Sequence, residues 1–76
     1  MYKLNQIPLN SQCTVLEVEE SPLGDRLLDM GLVPGTPVER VLSAPGGDPI
    51  AVLVNGDYLL GIRRDEAEAV TVYFET

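Results

Sequence analysis

The sequence predicts a small, mostly β domain: a barrel of about five short strands, with one short helix inserted after the first strand. Three observations predict it. Turn signals recur about every ten residues. The apolar residues are mainly Val, Leu and Ile, with no Trp and one Phe. And 76 residues hold one compact core but not a core plus a deep substrate cleft, because a domain of this size buries only about 60–65% of its unfolded surface.

The elements follow in chain order. Leu4, Ile7 and Leu9 form an apolar lead-in, interrupted by Pro8 and closed by an Asn10-Ser11 turn. The first strand covers residues 12–19. Cys13 and Val15 share one parity and Leu16 and Val18 do not, which signals a bulge between Val15 and Leu16. Ser21-Pro22 opens a helix: serine caps free N–H groups, and proline at the first helical position has no N–H to leave unsatisfied. Leu23, Leu27 and Met30 make one core-facing stripe. Gly31 ends the helix after about two turns, since glycine takes the left-handed conformation without a Cβ clash. Gly24 is expected to weaken the first turn.

Val33-Pro34-Gly35-Thr36 has the residues of a type II turn. A strand at Pro37–Ser43 follows, then a loop at residues 44–49 whose two prolines and two glycines cannot form a strand interior. The next stretch is a hairpin around Asn55-Gly56. A two-residue loop would set Leu59 opposite Val52. A three-residue loop instead pairs Val54 with Tyr58, Val52 with Leu60 and Ile50 with Ile62, giving one wholly apolar face. A one-residue slip exchanges the faces, so burial selects the three-residue loop. The outer face then carries Ala51, Leu53, Leu59 and Gly61, where a solvated face is normally polar. Arg64-Asp65-Glu66-Ala67 makes a helical turn. The last strand covers residues 70–74, with Val70, Val72 and Phe74 inward and Tyr73 outward. Five short antiparallel strands with one inserted helix fit a small SH3-like β-barrel, and residues 1–76 are read as one such domain.

Composition narrows the function. Twelve acidic residues against five basic give a net charge of −7. That sign disfavours nucleic acid and an anionic membrane surface. No apolar run approaches the ~18 residues of a membrane span. Cys13 is the only cysteine, which fits a reducing compartment. With no signal-peptide pattern at the start, the expected location is cytoplasmic.

Catalysis finds no footing. There is no histidine, hence neither the commonest general base nor the usual partner of a nucleophilic Ser or Cys. Cys13 is expected to be a packed core thiol. No catalytic, cofactor-binding or metal-ligating residue is assigned. Asp25 with Asp29, the glutamates at 17, 19 and 20, and the cluster Asp65, Glu66 and Glu68 lack the ligand spacing of a calcium loop, and no Cys or His pair is present for zinc. Gly46-Gly47 has no phosphate-binding pattern around it.

Four residues remain as candidate partner contacts. Leu53 and Leu59 form an exposed apolar pair, read either as a contact or self-association surface or as a cluster covered by Leu4, Ile7 or Leu9. Arg26 in the helix and Arg63 at a strand end are read either as intramolecular ion-pair partners or as recognition residues.

In order, Arg26-Leu27-Leu28-Asp29-Met30-Gly31-Leu32-Val33-Pro34-Gly35-Thr36, Ala44-Pro45-Gly46-Gly47-Asp48-Pro49-Ile50, and Asn55-Gly56 through Ile62-Arg63 with Glu66-Ala67 resemble the FeoA family over nearly the whole chain. These are small cytosolic accessory proteins of bacterial ferrous iron transport. The resemblance implies an SH3-like barrel, no enzymatic activity, and regulatory docking on the cytosolic part of FeoB, a membrane-embedded iron transporter with a GTPase domain. Two positions depart from the family: Asn10 stands where glycine is frequent, and Arg26 is the helix's only basic residue where a pair is common. Two other readings stand beside this one. The first is an SH3-like module like the C-terminal domain of metal-dependent repressors. The second is a free-standing divalent-metal-binding protein using surface carboxylates.

Overall fold

The computed structural model describes residues 1–75. In chain order it contains β1 (Tyr2–Lys3), a 3-10 turn (Leu4–Gln6), β2 (Gln12–Val18), α1 (Pro22–Asp29), β3 (Pro37–Ser43), a second 3-10 turn (Pro45–Gly47), β4 (Ile50–Val54), β5 (Tyr58–Ile62), α2 (Arg64–Ala67) and β6 (Val70–Tyr73). The strands form one antiparallel sheet in the order β1-β6-β2-β3-β4-β5. The sheet has one strand more than the sequence predicts. Tyr2 and Lys3 pair with Val72 and Thr71, and a two-residue strand leaves no periodicity to read.

The core is almost entirely aliphatic. Leu4, Ile7, Val15, Leu27, Leu32, Val38, Ile50, Val52, Val54, Ile62, Val70 and Val72 are fully buried, and among the described residues no polar or charged residue is buried with them. The apolar lead-in therefore goes into the core through Leu4 and Ile7, while Leu9 stays exposed. It does not cover Leu59. Arg40 holds this segment in place: its guanidinium donates to the Ile7 carbonyl at 2.8 Å, and its backbone exchanges hydrogen bonds with Asn10 and Ser11. Asn10 takes φ 66, a conformation that asparagine tolerates better than most residues.

The bulge in β2 lies where the parity change places it: Val15 pairs with Val72, but Glu17 pairs with Thr71. Gly35 donates to the Val15 carbonyl at 2.7 Å, and Val15 donates to Thr36 at 2.9 Å. The turn at residues 33–36, closed by Thr36 N–H on the Val33 carbonyl, thus docks on the bulge. In α1, Ser21 Oγ accepts from Gly24 N–H at 3.0 Å, and Leu27 is buried while Leu23 and Met30 pack at the core's margin. The helix ends with Gly31 at φ 100 and Leu32 N–H donating to the Leu27 carbonyl, a left-handed C-terminal cap.

Gly24 differs from expectation. A Cβ there would lie 1.7 Å from the Glu19 carbonyl oxygen, so glycine is required for the helix to lie against the end of β2. At Gly61, by contrast, an added Cβ meets nothing and φ is not positive. Gly24→Ala is expected to lower unfolding free energy by about 3 kcal/mol, or to prevent folding. Gly61→Ala should leave it unchanged or raise it by up to about 1 kcal/mol, since mid-strand glycine is itself unfavourable. Urea denaturation of the two variants side by side checks both.

Candidate functional site

The hairpin takes the three-residue loop. Val54 pairs with Tyr58, Val52 with Leu60 and Ile50 with Ile62. Asn55 and Gly56 have φ 54 and 66, and Asp57 N–H closes the turn on the Val54 carbonyl at 2.9 Å. Ile50, Val52, Val54 and Ile62 consequently face the core. Leu53 stands across from Leu59 on the outer face. Leu59 is 59% exposed, and Leu53 is half-buried.

The outer patch is larger than the sequence indicates. Leu42 is 58% exposed and pairs with Ala51, which pairs with Gly61. Two cross-strand rows result: Leu42–Ala51–Gly61 and Glu39–Leu53–Leu59. A bulge in β3 between Arg40 and Leu42 is the reason Leu42 escapes a parity count. Arg40 shares the inward parity of Val38, and simple alternation would send Leu42 inward as well. The extra residue turns it out. With a charged residue at the inward position before it, the bulge leaves no change of apolar parity to read.

The two candidate arginines meet at one carboxylate. Glu66 Oε1 accepts from Arg63 N–H at 2.8 Å, capping α2, while Glu66 Oε2 pairs with the Arg26 guanidinium. Arg26 thus anchors α1 to α2, and its side chain is still 59% exposed. The guanidinium of Arg63 is in contact with no carboxylate among the described residues. Leu59 and Arg63 are four residues apart, about 13 Å of extended chain, so the apolar patch and the arginine pair occupy neighbouring parts of the surface.

Two grooves open on the surface. One, about 480 Å³, lies between the turn at residues 33–36 and the hairpin and includes Gly31, Asp57 and Tyr58. Tyr58 closes its floor by donating from its hydroxyl to the Met30 carbonyl. The other, about 410 Å³, is lined by Lys3, Glu17, Glu19, Glu20, Ala69 and Thr71. Among the described residues no three His, Cys, Asp or Glu side chains converge to hold a metal ion, so the carboxylate reading gains no support. Cys13 is buried in the sheet, and burial pushes its thiol up to about 11 from 9.0. A thiol so protonated is not a nucleophile at neutral pH.

A small antiparallel barrel with an aliphatic core and one short inserted helix is the architecture of the SH3-like class. The comparisons agree. The family model described as "FeoA domain" matches residues 2–73, and the chain belongs to the FeoA family. The FeoA protein of Chlorobium tepidum is 39% identical, with a TM-score of 0.85 over 99% of this chain and 71% of that one. The FeoA of Stenotrophomonas maltophilia, solved with zinc, is 31% identical, with a TM-score of 0.83 over 95% of this chain and 89% of that one. It is described as a prokaryotic SH3-domain protein and a candidate activating factor of ferrous iron transport. A manganese-dependent transcriptional repressor shares the fold alone, at 10% identity and a TM-score of 0.81 over 99% of this chain and 41% of its own. No curated protein sequence matches the chain. Among the described residues no helix is long and apolar enough to cross a membrane.

The Cys13 environment gives a pH signature. The folded state retains a proton that the unfolded chain releases above pH 9, so this contribution is full below pH 9 and is lost as pH rises toward 11. Chemical denaturation at several pH values should show the wild type losing stability over that interval relative to Cys13→Val. Native protein at pH 8 should resist iodoacetamide, and urea-unfolded protein should react.

Proposed function

We propose that this chain is an accessory protein of ferrous iron uptake that acts in the cytoplasm by docking on the cytosolic part of a FeoB-type transporter. It works by binding, without catalysis, and residues 1–76 act as one docking domain. The observation that supports the reading most is the outer face of β3, β4 and β5, which carries Leu42, Leu53 and Leu59 in neighbouring cross-strand rows. A solvated face of an antiparallel sheet is normally polar, and large apolar patches on small domains mark partner surfaces.

In this reading Leu53 and Leu59 supply the desolvated centre of the contact. Arg26 and Arg63 lie at its margin and steer orientation, since rim charges act more on encounter than on affinity. Membership of the FeoA family and the iron-transport description of its Stenotrophomonas relative point to the transporter as the partner. The repressor reading has only the shared fold behind it.

Calorimetric titration against the purified cytosolic region of a FeoB-type transporter, with and without guanine nucleotide, tests the proposal. Binding is expected for the wild type. Leu59→Asp should weaken it by at least about tenfold, near 1.4 kcal/mol, while leaving stability within about 0.5 kcal/mol because the side chain is exposed. Absence of wild-type binding under both conditions would refute docking. Unchanged binding by Leu59→Asp and by Leu53→Asp would move the contact elsewhere.

A further inference from the structure

β5 is an edge strand that no other segment among the described residues completes. It stands at the end of the sheet, paired only with β4. Asn55 N–H donates to Pro37 on the β3 side, at 2.8 Å. Antiparallel alternation therefore directs Val54, Val52 and Ile50 toward Tyr58, Leu60 and Ile62. The N–H and C=O groups of Leu59 and Gly61 are left pointing away from the sheet. Among the described residues no turn, loop or cap hydrogen bond reaches the backbone of residues 58–62. Natural edges are blunted by short length, charge, proline or cover. The opposite edge, β1, has only two residues and includes Lys3. Tyr58-Leu59-Leu60-Gly61-Ile62 has five residues and neither a charge nor a proline.

Two further observations select the occupant. Asp57 and Arg63 bracket β5 symmetrically, three residues to either side of Leu60. Both are exposed, and neither side chain has a hydrogen bond or ion pair among the described residues. Gly61 is not required by its own fold, as an added Cβ would meet nothing. Glycine at such a strand position marks the approach of another backbone or side chain.

We propose that β5 pairs antiparallel with β5 of a second copy of this chain, about a two-fold axis through Leu60. Leu59 then exchanges backbone hydrogen bonds with Gly61 of the second copy and covers its bare backbone. Asp57 meets Arg63 of the second copy, twice over by symmetry. The outward phase of Leu59 and Gly61 allows two other centres. An axis at Leu59 sets Asp57 against Gly61, and one at Gly61 sets Asp57 against Asp65. Only the Leu60 axis pairs every charge with its opposite. The two outer faces would join into one apolar surface, and the interface is isologous, as a closed dimer needs. The inference does not depend on the transporter reading, and its test uses the chain alone.

An edge-to-edge contact is small and predicts a weak, concentration-dependent dimer, to be followed by sedimentation equilibrium up to about 1 mM, the limit of weak specific association. Asp57→Arg and Arg63→Asp should each weaken dimerisation by about tenfold or more, because like charges then face one another. An equimolar mixture of the two variants should restore it, since both pairs become opposite in the heterodimer. In wild-type protein the Leu59 and Gly61 amides should gain protection from hydrogen exchange as concentration rises. A wild type that stays monomeric, single variants that dimerise as it does, or a mixture no tighter than its components would each overturn the proposal. Should either variant fail to fold, the amide protection decides: no concentration dependence overturns it.

Discussion

The opposition of Val54 to Tyr58 in the β4–β5 hairpin is the constraint on which the rest of the molecule depends. A side-chain period of two means that a register admits no compromise: moved by one residue, every side chain of the strand exchanges core for solvent. With Val54 facing Tyr58, the residues Ile50, Val52, Val54 and Ile62 enter the core. The same choice forces Leu53 and Leu59 outward. The exposed apolar face is thus a geometric consequence of filling the core with the better set of side chains. The left-handed backbone of Asn55 and Gly56 permits the register, and burial selects it. Tyr58 then links the hairpin to the end of α1 through the Met30 carbonyl. A Cβ on Gly31 would come within 2.0 Å of that hydroxyl, so the helix terminus and the hairpin are fitted to each other.

The fold was legible in the sequence where one physical signal was unopposed. Ser21-Pro22 and Gly31 bracket α1 because capping chemistry is local. The β2 bulge was visible because hydrophobic parity changes between Val15 and Leu16. The second bulge, between Arg40 and Leu42, was not visible, because the inward position before it is filled by a charged Arg40 and no apolar alternation leads up to it. Nor was the need for Gly24. Its low helix propensity is a local property and suggests a weakened turn, whereas its proximity to the Glu19 carbonyl exists only once α1 has folded back on β2. Local conformational preferences are written in the sequence. Contacts between segments distant along the chain are not.

The candidate site divides in the same way. Leu53 opposite Leu59 followed from the hairpin register alone and is found as expected. Leu42 was hidden by its bulge. Arg26 was singled out as the lone cation of its helix and Arg63 as a cation at a strand end, but the carboxylate that touches the Arg26 guanidinium and the Arg63 N–H, Glu66, lies in a third element. Sequence could name the two cations; only the packing of α1 against α2 could show that one is spoken for within the chain and the other is not.

The energetic character of the core limits where function can lie. A chain of 76 residues has little surface to hide, and here every fully buried side chain is aliphatic. The one inward-facing cation, Arg40, is committed to the Ile7 carbonyl, and the Cys13 thiol is held protonated by burial. The acidic side chains lie at the surface, where water screens them, and among the described residues no three converge to hold a metal ion. What the surface does offer is apolar side chains on the outer face of β3, β4 and β5, Leu42, Leu53 and Leu59, and an edge strand with outward-pointing backbone groups. Area and free edges bind other chains. The apolar outer face and the open edge of β5 lie where another chain can reach them, and Asp57 and Arg63, at the two ends of that edge, are the charges that would set the register of a strand arriving there.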